Sequence, residues 1–168
     1  LYILLIFYSS FFYYSFVVGF VIWYKKYADF HLYFSQFTLI SFIGLAFYFL
    51  IPTSPPWLSN NVFRLDIERQ LYDGTVLHNF AQGSFMYYFI KGNLVAAFPS
   101  LHTAWTAFTS LFIIKHYGKV GGYLLIIPSM VSLSVIVTGE HYVLDVIYGW
   151  ILAYVVVNRC NFLLKKPK

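Results

Sequence analysis

The sequence predicts an all-α fold, a polytopic bundle of transmembrane helices. Three observations carry this. Of 168 residues, 60% are hydrophobic and 10% charged, against about 25% charged in a soluble domain. The charges cluster and leave long uncharged runs between them. The basic residues gather at alternate ends of those runs. The same figures exclude disorder. A single cysteine excludes a disulfide scaffold and a cysteine-rich zinc module. The length suits one domain, residues 1–168.

A crossing helix needs about 20 mostly apolar residues. Residues 1–24 are uncharged and predict the first span; Lys25, Lys26 and Asp29 follow. Residues 32–51 predict the second. Pro52, Pro55 and Pro56 end it, because proline breaks the helical hydrogen-bond ladder. Trp57 then suits the headgroup level. Residues 52–93 form a loop with Arg64, Asp66, Glu68, Arg69, Asp73 and Lys91. Within it, 61–72 read as an interfacial helix or loop, and 85–90 are too short to span. Residues 94–114 predict the third span and 120–139 the fourth, kinked at Pro128. Residues 142–160 predict the fifth, with Asp145 near its start.

Orientation follows from the basic residues. Eight of the 11, at Lys25, Lys26, Lys115, Lys119, Arg159, Lys165, Lys166 and Lys168, fall on one side, which is expected to be cytoplasmic. The 52–93 loop is then extracytoplasmic, with the starts of the third and fifth helices. This arrangement puts Leu1 outside and predicts a further helix upstream of it.

Ionisable groups inside spans are rare and functional by default. His102 lies near the start of the third helix, in Pro99-Ser100-Leu101-His102. His141 and Asp145 lie at the start of the fifth, at matching depth. Four residues apart, they are expected on one helix face. Asp145 would accept one ring N–H and free the other nitrogen. Pro99 suits a first helical position and Ser100 a cap, so the helix start offers an anion site. The combination points to phosphoryl transfer. His141 would attack phosphorus, Asp145 orient it, and His102 protonate the leaving oxygen. His31, His116 and Cys160 read as interfacial or core groups, while His78 in the loop could approach the site.

Pro99-Ser100-x-His102 and His141-x-x-x-Asp145 resemble the second and third motifs of the type 2 phosphatidic acid phosphatase superfamily. The resemblance covers roughly residues 36–158. No Arg-Pro occurs, and Pro55-Pro56-Trp57 stands near the place of the first motif. Val135 occupies the third motif's arginine position. This pattern is similar to the branch containing inositol phosphorylceramide synthase, and Glu140-His141-Tyr142 with Asp145-Val146 is similar to sphingomyelin synthase. The resemblance implies six helices and a phosphohistidine intermediate. It also implies a lipid phosphate or isoprenoid (pyro)phosphate substrate, with no cofactor and no metal.

Arg64, Arg69 and Lys91 are the basic residues available to replace the missing arginines, with Lys91 and Arg64 first, beside Ser100. The expected partners are the bilayer and the lipid, not nucleic acid. The expected location is the plasma membrane, with the site extracytoplasmic. Two other readings remain open: a metal-dependent hydrolase using two histidines and one aspartate, and a non-catalytic transporter or scaffold.

Overall fold

The computed structural model describes residues 2–63 and 94–160. The expectations for Arg64, Arg69, His78, Lys91 and the segment 85–90 lie outside the described residues. The described residues form seven helices and no strand. They are α1 (Tyr2–Lys25), α2 (Tyr27–Leu50), α3 (Pro56–Phe63), α4 (Leu101–Tyr117), α5 (Val120–Leu124), α6 (Ile126–Val137) and α7 (Val143–Arg159). The all-α membrane bundle expected from the sequence is the observed class.

Two helices are long and apolar enough to cross a membrane. Helices α1 and α2 have 24 residues each and rise about 36 Å, against a hydrocarbon core of about 30 Å. Helices α4 and α7 have 17 residues each, or about 26 Å.

The run expected to be helical from residue 94 becomes so only at Leu101. The preceding stretch pairs with the proline-rich segment instead. Thr53 N donates to Val95 O at 3.2 Å, and Ala97 N to Thr53 O at 3.1 Å. The Phe98–Pro99 peptide is cis. With the helix starting at Leu101, Pro99 precedes the cap rather than opening the helix. Ser100 is the cap, its Oγ accepting from Thr103 N at 3.4 Å.

The fourth run breaks at Leu125, between α5 and α6. This lies three residues before Pro128, which falls in the first turn of α6. Proline's missing N–H has no helical partner to lose there.

Helix α4 is central. Its companions can be oriented by contacts at both ends. Tyr8 of α1 meets His102 at 3.3 Å, and Lys26 lies over the Tyr117 ring at 5.2 Å, so α1 runs parallel to α4. Tyr117 OH donates to Asp29 Oδ2 at 2.9 Å, and Tyr48 OH to Pro99 O at 3.1 Å, so α2 runs antiparallel. Ser110 Oγ donates to Leu124 O, and Ser132 Oγ to Thr103 Oγ1, which makes α6 antiparallel as well. Lys115 Nζ donates to Val157 O near the far end of α7, which is parallel. Lys25, Lys26, Lys115 and Arg159 thus share one end of the bundle, and His102, His141 and Asp145 the other.

The packing is inverted relative to a water-soluble domain. Ser15, Gln36, Thr106, Thr109, Ser110 and Ser134 are fully buried. Phe20, Phe42, Phe49, Ile147, Ile151 and Tyr154 face outward. Outside a bilayer such an apolar girdle would be an aggregation surface. Inside one, helices are held by close packing and interhelical hydrogen bonds. Tyr33 OH donates to Ser15 O at 2.7 Å and meets Thr109 Oγ1 at 3.0 Å, joining α2, α1 and α4. Tyr14 OH and Ser110 Oγ meet at 2.9 Å. Phe108, Phe112 and Ile40 fill the apolar core between these bonds.

Candidate active site

Three local structures deliver the site. The first is the start of α4, where the Ser100 cap puts His102 in the first turn. The second is the end of α6. Gly139 has φ 73°, a left-handed conformation that favours glycine. Gly139 N donates to Ile136 O at 3.1 Å and Glu140 N to Val135 O at 3.0 Å. This pair of bonds is a Schellman motif, which satisfies the last helix carbonyls. His141 N also bonds Val135 O at 3.0 Å. The turn that stops α6 therefore sets down His141. The third is the start of α7, where Asp145 Oδ2 accepts from Tyr142 N at 2.7 Å.

Backbone bonds tie these pieces together. Ser100 N donates to Asp145 O at 3.0 Å. Trp57 N donates to Gly139 O at 3.2 Å, which brings the Pro55-Pro56-Trp57 element onto the same turn. Gly149 of α7 faces α4, and a Cβ there would stand 2.7 Å from Ser100 O.

The two histidines meet directly. His102 Nδ1 and His141 Nε2 are 2.9 Å apart. His141 Nδ1 lies 2.7 Å from Ala97 O. A carbonyl can only accept, so His141 carries its proton on Nδ1 and presents a lone pair at Nε2 when neutral. His102 then donates from Nδ1. On its other side, His102 Nε2 lies 3.3 Å from Tyr8 OH.

Asp145 differs in two ways from its expected part. Helix α7 starts at Val143, so His141 precedes the helix and does not share a helical face with Asp145. The carboxylate lies 3.6 Å from His141 Nδ1, beyond hydrogen-bond range. The ring N–H goes to Ala97 instead. Asp145 is an adjacent buried charge whose hydrogen bond supports the start of α7.

A cavity of about 460 Å³ opens beside the pair. Its wall includes Tyr8, Phe11, Phe12, Phe16 and Trp105, together with Pro55, Glu140 and both histidines. Among the described residues, no lysine or arginine lines it. Nor do three His, Cys, Asp or Glu side chains among them group as a metal site would require. Val135, at the third motif's arginine position, is fully buried against Phe11, Val131 and Val146. An arginine there would place an unpaired charge in an apolar core.

Sequence reasoning missed Ala97 and Tyr8. Ala97 acts through its carbonyl, which no side-chain pattern reveals. Tyr8 sits in an aromatic run, Tyr-Ser-Ser-Phe-Phe-Tyr-Tyr, where nothing singles it out.

Fold and site together define a helical membrane protein with a histidine pair, buried at His141 and partly buried at His102, at one end of its bundle. The profile of the PAP2 superfamily matches residues 1–158, and the chain belongs to that superfamily. Its members are in general phosphoric ester hydrolases, which supports a phosphatase-type phosphoesterase function for this chain. No curated protein and no solved structure shows a significant match.

Proposed function

We propose that the chain is a membrane-embedded lipid phosphatase or phosphotransferase working through a phosphohistidine at His141. The observation that carries this is the chain of contacts from His102 Nδ1 to His141 Nε2 and from His141 Nδ1 to Ala97 O. It holds a neutral nucleophile and a proton donor face to face.

The phosphate enters between the rings, which part toward the adjacent cavity. The Nε2 lone pair of His141 attacks phosphorus. An N–P bond forms and the P–O bond to the leaving alcohol breaks. His102 gives its Nδ1 proton to the departing oxygen. Water or an alcohol then attacks phosphorus and passes its proton to His102. The N–P bond breaks and the lone pair returns to His141. No step calls for a metal or cofactor.

Asp145 favours positive charge on His141 through space. The capped start of α4, with Ser100, offers backbone N–H groups to the phosphate. Lys91 and Arg64 supply the cations that the described wall lacks. The aromatic side of the cavity takes the apolar part of a phospholipid or isoprenoid phosphate. The histidine end of the bundle is the extracytoplasmic one, opposite Lys25, Lys26 and Lys115, in a plasma membrane.

Transfer of a phospho-headgroup to an alcohol, as in the inositol phosphorylceramide and sphingomyelin synthase branch, is the second reading. Its basis is the likeness of Pro55-Pro56-Trp57 to that branch, an element that Trp57 N ties to the Gly139 turn.

The test is a lipid panel with purified protein: phosphatidate, isoprenyl phosphates, and phosphoinositol or phosphocholine donors, with and without an alcohol acceptor. Reactions with labelled substrate, quenched in base or detergent, should yield acid-labile, base-stable label on protein. His141→Ala should abolish both turnover and label. Full turnover by His141→Ala would remove it as nucleophile, and loss of activity with a chelator would favour the metal-dependent reading.

A further inference from the structure

The phosphotransfer reading leaves the far side of His102 unexplained. A general acid must hold its ring still while its protonation changes. His141 cannot do that, because its own Nε2 becomes bonded to phosphorus. Whatever steadies His102 during reaction must act at its other nitrogen. That nitrogen lies 3.3 Å from Tyr8 OH. The rings of Tyr8 and His102 are 5.3 Å apart, and Phe11 meets His102 edge-on at 4.1 Å.

We infer that Tyr8 is a positioning residue for the general acid, holding the His102 ring at Nε2 in both of its protonation states. This rests on the phosphotransfer reading. The chemistry of the partner is what matters. Neutral His102, with its proton on Nδ1, needs a donor at Nε2. Protonated His102 carries N–H on both nitrogens and needs an acceptor there. A carbonyl or carboxylate serves only the second state. A hydroxyl serves both by turning its O–H. From α1, Phe11, Phe12 and Phe16 also face the cavity, and Tyr8 alone of these four carries a hydroxyl. At rest the Tyr8 O–H donates to Nε2; once His102 is protonated, Nε2–H donates to the Tyr8 oxygen, and it goes on doing so when the Nδ1 proton leaves for the departing oxygen. The ring then needs no new partner.

Leaving-group dependence tests this. Dodecyl phosphate releases an alkoxide that must be protonated. A nitrophenyl phosphate bearing the same alkyl tail releases a phenolate that leaves unaided. The value of kcat/KM reports events up to P–O cleavage, before His102 acts as a base. Tyr8→Phe should lower kcat/KM on dodecyl phosphate about tenfold or more, a part of what a general acid supplies. On the nitrophenyl substrate it should stay within about twofold. In a His102→Ala background, Tyr8→Phe should have no further effect on either.

An equal fall on both substrates would make Tyr8 merely structural, and no fall on either would overturn the inference. Should Tyr8→Phe fail to fold, difluorotyrosine at position 8 keeps the shape and alters the acidity of the hydroxyl. It should change turnover of the alkyl substrate alone, and an unchanged or equal response overturns the inference. If wild-type protein turned over neither phosphate, or His141→Ala kept full turnover, the phosphotransfer reading would fail, and this inference with it.

Discussion

Gly149 and Ser100 stand so close that a Cβ on the glycine would meet the serine's carbonyl oxygen at 2.7 Å. The same Cβ would lie 3.3 Å from Ala104 N. Both neighbours are backbone of the first turn of α4, so neither can move without moving His102. Gly149→Ala should therefore destabilise the protein by about 1–3 kcal/mol, the usual range for overpacking. It should also lower activity by more than its stability loss explains. Thermal unfolding in detergent beside a turnover assay checks both.

Gly139 is a second geometric constraint. Its left-handed φ of 73° closes the turn that delivers His141. Gly139→Val should cost about 1–2 kcal/mol, the strain of a β-branched residue in that conformation. His141 would shift with the turn. The expected result is folded protein with reduced label on the nucleophile, read after a base or detergent quench.

The proposed mechanism needs His141 neutral and His102 protonated. Activity should rise with pH as His141 loses its proton and fall as His102 loses its own, giving a bell. His102→Ala should lower turnover of alkyl phosphates by about 10²–10⁴-fold and remove the falling limb. The same variant should still accept label from a substrate whose leaving group needs no proton. A pH–rate series on wild type and variant distinguishes the two limbs.

Asp145 has two separable parts to play. Its Oδ2 accepts from Tyr142 N at 2.7 Å, and its charge lies 3.6 Å from His141 Nδ1. Asp145→Asn keeps an acceptor for the first and removes the second. It should fold with stability within about 1 kcal/mol of wild type yet lose turnover. Asp145→Ala should lose both. Melting temperature and kcat, measured side by side, separate them.

Much of the site was legible in the sequence because its side chains are unusual where they stand. His102, His141 and Asp145 are titratable groups bordering apolar runs, and spacing alone put them at one end of the bundle. Ser100 as a cap was equally readable. The hydrogen bonds were not. The i,i+4 rule paired Asp145 with His141 only if the helix included both, and the Gly139 turn excludes His141 from it. Residues 94–100 look apolar enough to open the third span, yet Thr53 pairs with Val95 and Ala97 and holds them out of the helix. A long-range backbone contact of that kind leaves no local pattern. The broad aromatic content of α1 hid Tyr8 for the opposite reason, since one tyrosine among many carries no signal.

The Ala97 carbonyl has a consequence for how such a protein tolerates change. The atom that selects the nucleophile's tautomer belongs to the main chain, so no substitution at position 97 deletes it. An alanine scan would pass over this residue. Sensitivity should surface elsewhere, at Thr53, whose Oγ1 accepts from Phe98 N at 2.8 Å and whose carbonyl accepts from Ala97 N. Thr53→Val would strand the Phe98 N–H, a loss of about 1–3 kcal/mol, and loosen the peptide that aims the carbonyl. The nucleophile's tautomer is thus guarded by Thr53, 44 positions before Ala97 and with no chemistry of its own.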